Sequence, residues 1–284
     1  MKSSLESALA LIEAISDYRV LFVGDTIIDE YHYVTPLARA AKENLIPTRY
    51  RASEVFRGGI EAAAKHASSF CHVEVESIGE ITRKVRMVDE NYVRKLFEIH
   101  YSDGSVNRRA SGDYDVTVIA DYGGPIPPER LKAPFLAVSA QTNSTNAGFN
   151  LITKYARADY IVIDEPEARL AAHDRESPIE TVLRSLARGR CEKFVVTHGP
   201  HGAYGLERGE FFHEPTTTDL VRDTMGAGDA FFAVTAPMAK IGGMRELLII
   251  GNAAGALKTQ IVGHRESVTK SALKEFLESN LHRR

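Results

Sequence analysis

Apolar and β-branched residues gather in short runs at residues 19–23, 116–120, 135–138, 160–163 and 194–197, with helically spaced segments between them. Runs this continuous suit strands buried on both faces. They predict an α/β fold with a mostly parallel central sheet covered by helices. The helical segments carry their own start and stop signals. Within residues 1–15, Ser3 with Glu6 fits a capping box, and Leu5, Leu9, Ile12 and Ile15 make an apolar stripe at helical spacing. Ser177-Pro178 followed by Glu180 predicts an N-cap, a first-turn proline and a capping glutamate, with Gly189 as the stop. From residue 226 to about 281 the pattern predicts three successive helices, jointed at Gly242-Gly243 and Gly263-His264.

One stretch breaks this rhythm. Val85 and Met87 alternate with Lys84, Arg86 and Val88, Asp89-Glu90-Asn91 turns, and Val93, Phe97, Ile99 and Tyr101 return with period two. This predicts a β-ribbon at about 82–101. Two strands alone are unstable in water, so the ribbon must lean on the main domain or on a second copy of itself. No repeat, low-complexity tract or long linker interrupts the chain, which predicts one domain over 1–284 with the ribbon attached.

Composition narrows the choice of function. A chain of 284 residues, 44% hydrophobic and 26% charged, can bury a full core. Its formal net charge of -3 provides no global field for nucleic acid or a membrane surface, so any anion site must be local. No apolar run approaches membrane-spanning length, and residues 1–15 lack the basic start of a leader. Cys71 and Cys191 have no ligand spacing and are expected to be buried free thiols in a reducing compartment. The expected setting is therefore cytoplasmic, with neither nucleic acid nor membrane as partner.

Candidate chemistry concentrates in Thr224-Met225-Gly226-Ala227-Gly228-Asp229-Ala230-Phe231-Phe232. Two glycines flanking an alanine let the backbone turn tightly at the head of an apolar helix, and unpaired N–H groups with the helix dipole make an anion site there. Asp229 sits inside it. Its carboxylate is either a helix-end charge stabiliser, a matter of about 0.3–1 kcal/mol, or the acceptor of a proton from an attacking hydroxyl. No Gly-Lys-Ser/Thr follows, so the turn is not a Walker loop, and it does not follow the first strand as a dinucleotide fingerprint would.

The segment Asp223-Thr224-Met225-Gly226-Ala227-Gly228-Asp229 with its helix resembles the carboxyl-terminal signature of the ribokinase-like (PfkB) carbohydrate kinases. That resemblance implies Asp229 as catalytic base and Gly226, Ala227 and Gly228 as the anion hole. Val195-Val196-Thr197-His198-Gly199-Pro200-His201-Gly202-Ala203 is similar to the family's strand and turn near the nucleotide, and Asn252-Ala253-Ala254-Gly255-Ala256 to the helix lining the adenine pocket. Thr197, Gly199, Gly202 and Asn252 are thereby implied at the nucleotide. Val23-Gly24-Asp25 through Asp29-Glu30-Tyr31, then Arg39, Glu43 and Pro47, look most like the bacterial heptose-7-phosphate kinase branch, as does Thr82-Arg83-Lys84-Val85-Arg86, which there belongs to a lid over the sugar. The implied activity is ATP-dependent phosphorylation of a sugar or sugar phosphate with ATP and Mg²⁺.

The residues themselves leave the substrate side open. Asp25 is implied at the sugar by the same resemblance. Asp29 lies just past the first strand, where ligands collect in open α/β sheets, and can take sugar hydroxyls or cap a helix. Gly58-Gly59 permits close approach to a substrate or makes a tight turn. Lys84, Arg86, Arg94 and Lys95 can meet a phosphate or form a solvated basic face. The ribbon's apolar face, Val85, Met87, Phe97 and Ile99, predicts a homodimer paired through the lid.

Several positions depart from the family pattern. Ala62 stands where an Asn contacts the sugar, and Asp164-Glu165-Pro166-Glu167 replaces Asn-x-x-Glu, with Asp164 and Glu167 implied near the metal. Only a few residues separate Cys71 from Thr82, where the family has room for a strand, a helix and a strand, so the sheet edge is expected to be trimmed. Ser139-Ala140-Gln141-Thr142-Asn143 replaces an Asp-Pro-basic stretch. A non-catalytic sugar- or nucleotide-binding role is the competing expectation.

Overall fold

The computed structural model describes residues 2–37, 43–144, 146–216, 218 and 220–281. Arg39 lies outside them. In chain order the elements are α1 (Lys2–Ala14), β1 (Arg19–Gly24), β2 (Thr26–Pro36), β3 (Thr48–Gly58), α2 (Gly59–Ala67), β4 (His72–Asp89), β5 (Arg94–Arg108), β6 (Val116–Asp121), β7 (Leu136–Ala140), β8 (Tyr160–Asp164), α3 (Glu165–Ala172), α4 (Ile179–Ala187), β9 (Lys193–Thr197), β10 (Ala203–Glu207), β11 (Glu210–Glu214), α5 (Ala227–Met238), α6 (Met244–Lys258) and α7 (Lys270–Leu281).

The buried runs form the parallel core, in the order β9-β8-β7-β6-β1-β4, and antiparallel β10 and β11 extend it beyond β9. Successive residues of β1 face opposite layers. Val20 and Phe22 pack with Ile12, Ile60, Phe231, Leu247 and Leu273 on one face, whereas Leu21 and Val23 pack with Ala168, Leu183 and Leu186 on the other. Burial on both faces explains why these strands lack polar alternation.

The segment expected to form a lid is larger than a ribbon. β4 pairs in parallel with β1 only through Ser77, and from Thr82 onward it pairs in parallel with β2. Gly79, at φ +84°, lies where the strand changes partners. Antiparallel β3 flanks β2 and antiparallel β5 flanks β4, so four strands in the order β3-β2-β4-β5 project from the core sheet. The 82–101 hairpin is present, with Asn91 N–H donating to Asp89 Oδ1 at its turn. It is supported by its own chain, and Val85 is already buried there. Tyr31, Phe56 and Val88 make a small core under the lid that touches Met225 and Val262 near the head of α5.

Two capping expectations shift. α4 starts at Ile179 with Pro178 in the N-cap position and no side-chain cap, one residue later than expected, and α1 already includes Ser3, whose side chain lies outside the described residues. Cys71 is buried and Cys191 half-buried, and both are free thiols. Among the described residues no helix is long and apolar enough to cross a membrane.

Candidate active site

The turn before α5 is shaped by Gly226, whose φ of +74° lies in the left-handed region. A Cβ there would stand 3.3 Å from both His264 Cε1 and Lys258 Cε. Gly226, Ala227, Gly228 and Asp229 line a pocket of about 680 Å³ together with Asp164, Glu167, Thr197, Gly199, Gly202 and Asn252. The head of α5, where the Ala227 N–H makes only a long 3.4 Å bond to Thr224 O, therefore opens on the pocket that gathers the residues expected at the nucleotide.

Asp229 is half-buried, and its Oδ1 accepts the Tyr122 hydroxyl at 2.9 Å. Burial raises its pKa above the ordinary carboxylate range, opposed by the Tyr122 bond and by the charges of His264 and Lys258. Such a carboxyl holds a proton more readily than an exposed one, as a proton acceptor must.

Several pocket residues also have structural work. Asn252 Nδ2 donates to Glu214 O at 2.8 Å and Pro215 O at 3.3 Å, which fastens the end of β11 to α6. Gly202 has φ +86°, and a Cβ there would lie 2.1 Å from Glu214 O. Asp164 and Glu167 form a reciprocal capping box on α3: Asp164 Oδ1 accepts Glu167 N–H at 2.8 Å and Glu167 Oε2 accepts Asp164 N–H at 2.9 Å. Glu167 Oε1 also accepts Thr142 N–H at 2.8 Å. Burial and the neighbouring Asp164 push Glu167 up to about 8, and burial raises Asp164 as well. No group of three or more potential metal ligands occurs among the described residues. Burial disfavours the charged form of both carboxyls, and the charge of Asp164 adds to this at Glu167; the pair nonetheless fits a divalent cation, which would relieve that penalty.

The residues expected at the sugar are not among those lining this pocket. Asp25 is buried and accepts Tyr122 N–H at 2.9 Å and Gly124 N–H at 3.2 Å; burial pushes it up to about 6. Asp29 is 4% exposed and pairs with Arg86 and, at 3.3 Å, with His264 Nε2. Against the upward push of burial, His264 and Arg86 hold its carboxyl below the usual range. It caps no helix. Both glycines at the junction of β3 and α2 are required by close approach: a Cβ on Gly58 would stand 2.3 Å from Asp29 Oδ2, and one on Gly59, at φ +58°, 2.4 Å from Asp25 O.

The basic cluster on the lid divides. Lys84 and Arg86 are buried, and Arg86 reaches both Asp29 and Glu98, the latter at 3.1 Å. Lys95 instead pairs with Asp223 at 2.9 Å, and Arg94 is exposed. Tyr31 O–H adds a second lid contact to Asp223 at 3.3 Å. Sequence reasoning missed Tyr122, His264 and Lys258 as site residues. Tyr122-Gly123-Gly124 directly follows β6, at the carboxyl end of a core strand, and that position was the available signal.

The profile of the pfkB family carbohydrate kinases matches residues 143–271. The bifunctional protein HldE of Rhodopseudomonas palustris strain TIE-1 is 24% identical over 329 aligned residues, covering 97% of this chain and 65% of that protein. The chain thus spans less than two thirds of this curated relative. Thermotoga maritima ribokinase superposes with a TM-score of 0.69 at 16% identity, covering 92% of this chain and 99% of that one. Arabidopsis thaliana ribokinase, solved with ribose and ATP, gives 0.67 at 14% identity over 92% and 99%. With a shared fold over nine-tenths of its length and a family match across most of its carboxyl-terminal half, the chain is similar to the pfkB carbohydrate kinases and has the ribokinase fold.

Proposed function

We propose that the chain transfers the terminal phosphoryl group of ATP to a hydroxyl of a sugar or sugar phosphate, with Asp229 as general base. The observation that carries this is the position of Asp229, a half-buried carboxyl at the head of α5 that lines the large pocket, is held by Tyr122 and feels the charge of Asp29. The acceptor oxygen attacks phosphorus as its proton passes to Asp229, the bond to the bridging oxygen breaks, and ADP leaves. N–H groups of the Gly226–Gly228 turn face the charge that gathers on the transferring oxygens. Asp164 and Glu167 would hold Mg²⁺, which when bound neutralises phosphate charge. Lys84 and Arg86 bring positive charge to Asp29, which favours an acceptor carrying a phosphate able to draw Arg86 away from Asp29.

A second reading, nucleotide binding without turnover, draws on one feature. No residue before Ser139 lines the large pocket, and Asp29 is already engaged. A thermal-shift screen of ATP with Mg²⁺ against sugars and sugar phosphates separates the two, because only the kinase reading expects added stabilisation by an acceptor. For the nucleotide, ATP with Mg²⁺ is expected to slow amide exchange at residues 197–202 and 224–230. Protection confined to the first hundred residues would overturn the assignment.

The lid also supports a two-fold pairing. Phe97, Ile99 and Tyr101 on β5 and Val55 on β3 are 45, 39, 42 and 63% exposed. The register Val55–Glu30–Val85–Ile99 puts Val55 and Ile99 on one face, with Phe97 beside Met87 on the same side. Burial of this face against a second copy removes it from water. Sedimentation equilibrium is expected to show a wild-type dimer and a monomeric Phe97→Glu, Ile99→Lys variant; a wild-type monomer at micromolar concentration refutes the pairing.

A further inference from the structure

Lys258 ends α6 and is fully buried. Its Nζ donates to Met225 O at 2.8 Å, to Gly263 O at 2.8 Å and, more weakly, to Ile261 O at 3.4 Å. It forms no ion pair among the described residues. Burying an ammonium costs several kcal/mol unless its donors are satisfied, and here three donors meet three main-chain carbonyls. These oxygens come from two segments, the turn that opens α5 and the loop that follows α6. Lysine suits such a cage because its charge is compact and its three donors splay like the bonds to a spherical ion. Asp223 and Asp229 supply balancing negative charge from farther away.

The cage bears directly on the anion turn. Met225 C=O and Gly226 N–H are the two ends of one peptide, and in a trans peptide they point in opposite directions. An ammonium that fixes the carbonyl therefore fixes the N–H facing away from it, and polarises that N–H as a donor. Lys258 Cε stands 3.3 Å from where a Gly226 Cβ would be, so the charge lies against the back of the turn. Rings of main-chain carbonyls are also the ligand set by which proteins hold potassium.

We infer that Lys258 is a tethered cation that positions the Met225–Gly226 peptide, doing for this turn what a carbonyl-bound monovalent ion would do, so that the turn is ordered without one. The inference rests on the kinase reading for its purpose, whereas its test does not depend on turnover.

Amide exchange at residues 224–230 and the thermal midpoint are measured for wild type, Lys258→Ala and Lys258→Met, without nucleotide, in choline, potassium, ammonium and lithium chlorides at matched ionic strength. Wild type is expected to be indifferent to the cation. Lys258→Ala opens the cage, so exchange in choline is expected to rise about tenfold and to return toward wild type in potassium or ammonium but not in lithium. Lys258→Met fills the stem without the charge and is expected to stay fast in every salt. A wild-type turn that requires potassium overturns the inference, as does a Lys258→Met turn exchanging like wild type or a Lys258→Ala turn blind to the choice of cation. Where Lys258→Ala does not fold in any of the salts, wild type and Lys258→Met decide alone. Cation rescue in a chain without turnover keeps the inference and removes the kinase reading; turnover without rescue does the reverse.

Discussion

Asp229→Asn is expected to lower turnover by roughly 10²–10⁴-fold, the range of a lost general base, while ATP binding is largely kept. Asparagine preserves the size of the side chain and an oxygen for the Tyr122 hydroxyl, so the geometry that places Asp229 Oδ1 at 2.9 Å from it need not change. What disappears is the capacity to accept a proton. The substitution also removes an ionisable group whose pKa burial has raised, so the folded protein gives up little stability with it. Steady-state kinetics on both proteins, with nucleotide affinity measured separately, provide the check. Turnover near the wild-type value would remove Asp229 from the mechanism.

The largest expected structural effect comes from a residue that carries no side chain. In Gly124→Ala the new Cβ would stand 1.7 Å from Asp25 Oδ1 and 2.7 Å from its Cγ. Asp25 cannot retreat, because Gly59 packs against its carbonyl and Gly79 against its carboxyl. It must rotate out, abandoning the N–H groups of Tyr122 and Gly124. Overpacking together with two lost bonds to a buried carboxylate amounts to about 2–4 kcal/mol. The displacement continues into chemistry, since the residue whose N–H is freed is the one whose hydroxyl holds Asp229. Turnover is therefore expected to fall with stability. Gly104→Ala is the comparison, with φ +96° but nothing within 4 Å of the added carbon, so only backbone strain of about 1 kcal/mol applies. Denaturant unfolding of both variants checks the ranking, and a Gly124→Ala protein as stable as Gly104→Ala would contradict it.

The parallel core was legible because strands buried on both faces cannot disguise their composition. β1 and β6 to β9 all appear within a residue or two of the apolar runs, and the three helices after residue 226 break at the marked glycines. β2 and β3 left no comparable trace. β3 is exposed at most positions, and its strand character comes from pairing with β2 across a register that no local pattern encodes. The lid's true support was hidden for the same reason, since it depends on β4 exchanging β1 for β2 at Gly79. At the site, the glycine-rich turn and the residues around the large pocket could be found from sequence, because each sits at the end of a recognisable element. Asp164 and Glu167 carried a further signal, the spacing of a capping box, beside the place near a metal that the resemblance implies for them. The engagement of Asp29 by Arg86 and His264 was not legible, because the three groups come from β2, β4 and the loop before α7 and meet only in the fold. Lys258 was equally silent: nothing in a lysine at the end of a helix announces that its ammonium is wholly buried.

The measurement closest to the central claim is phosphorus NMR of the wild-type chain with Mg·ATP and a panel of sugars and sugar phosphates. The account predicts that ADP and a new phosphate ester appear together, in equal amounts, only when a suitable acceptor is present. ATP bound at the large pocket but unconsumed with every acceptor, or ADP formed at the same rate with none, would contradict it.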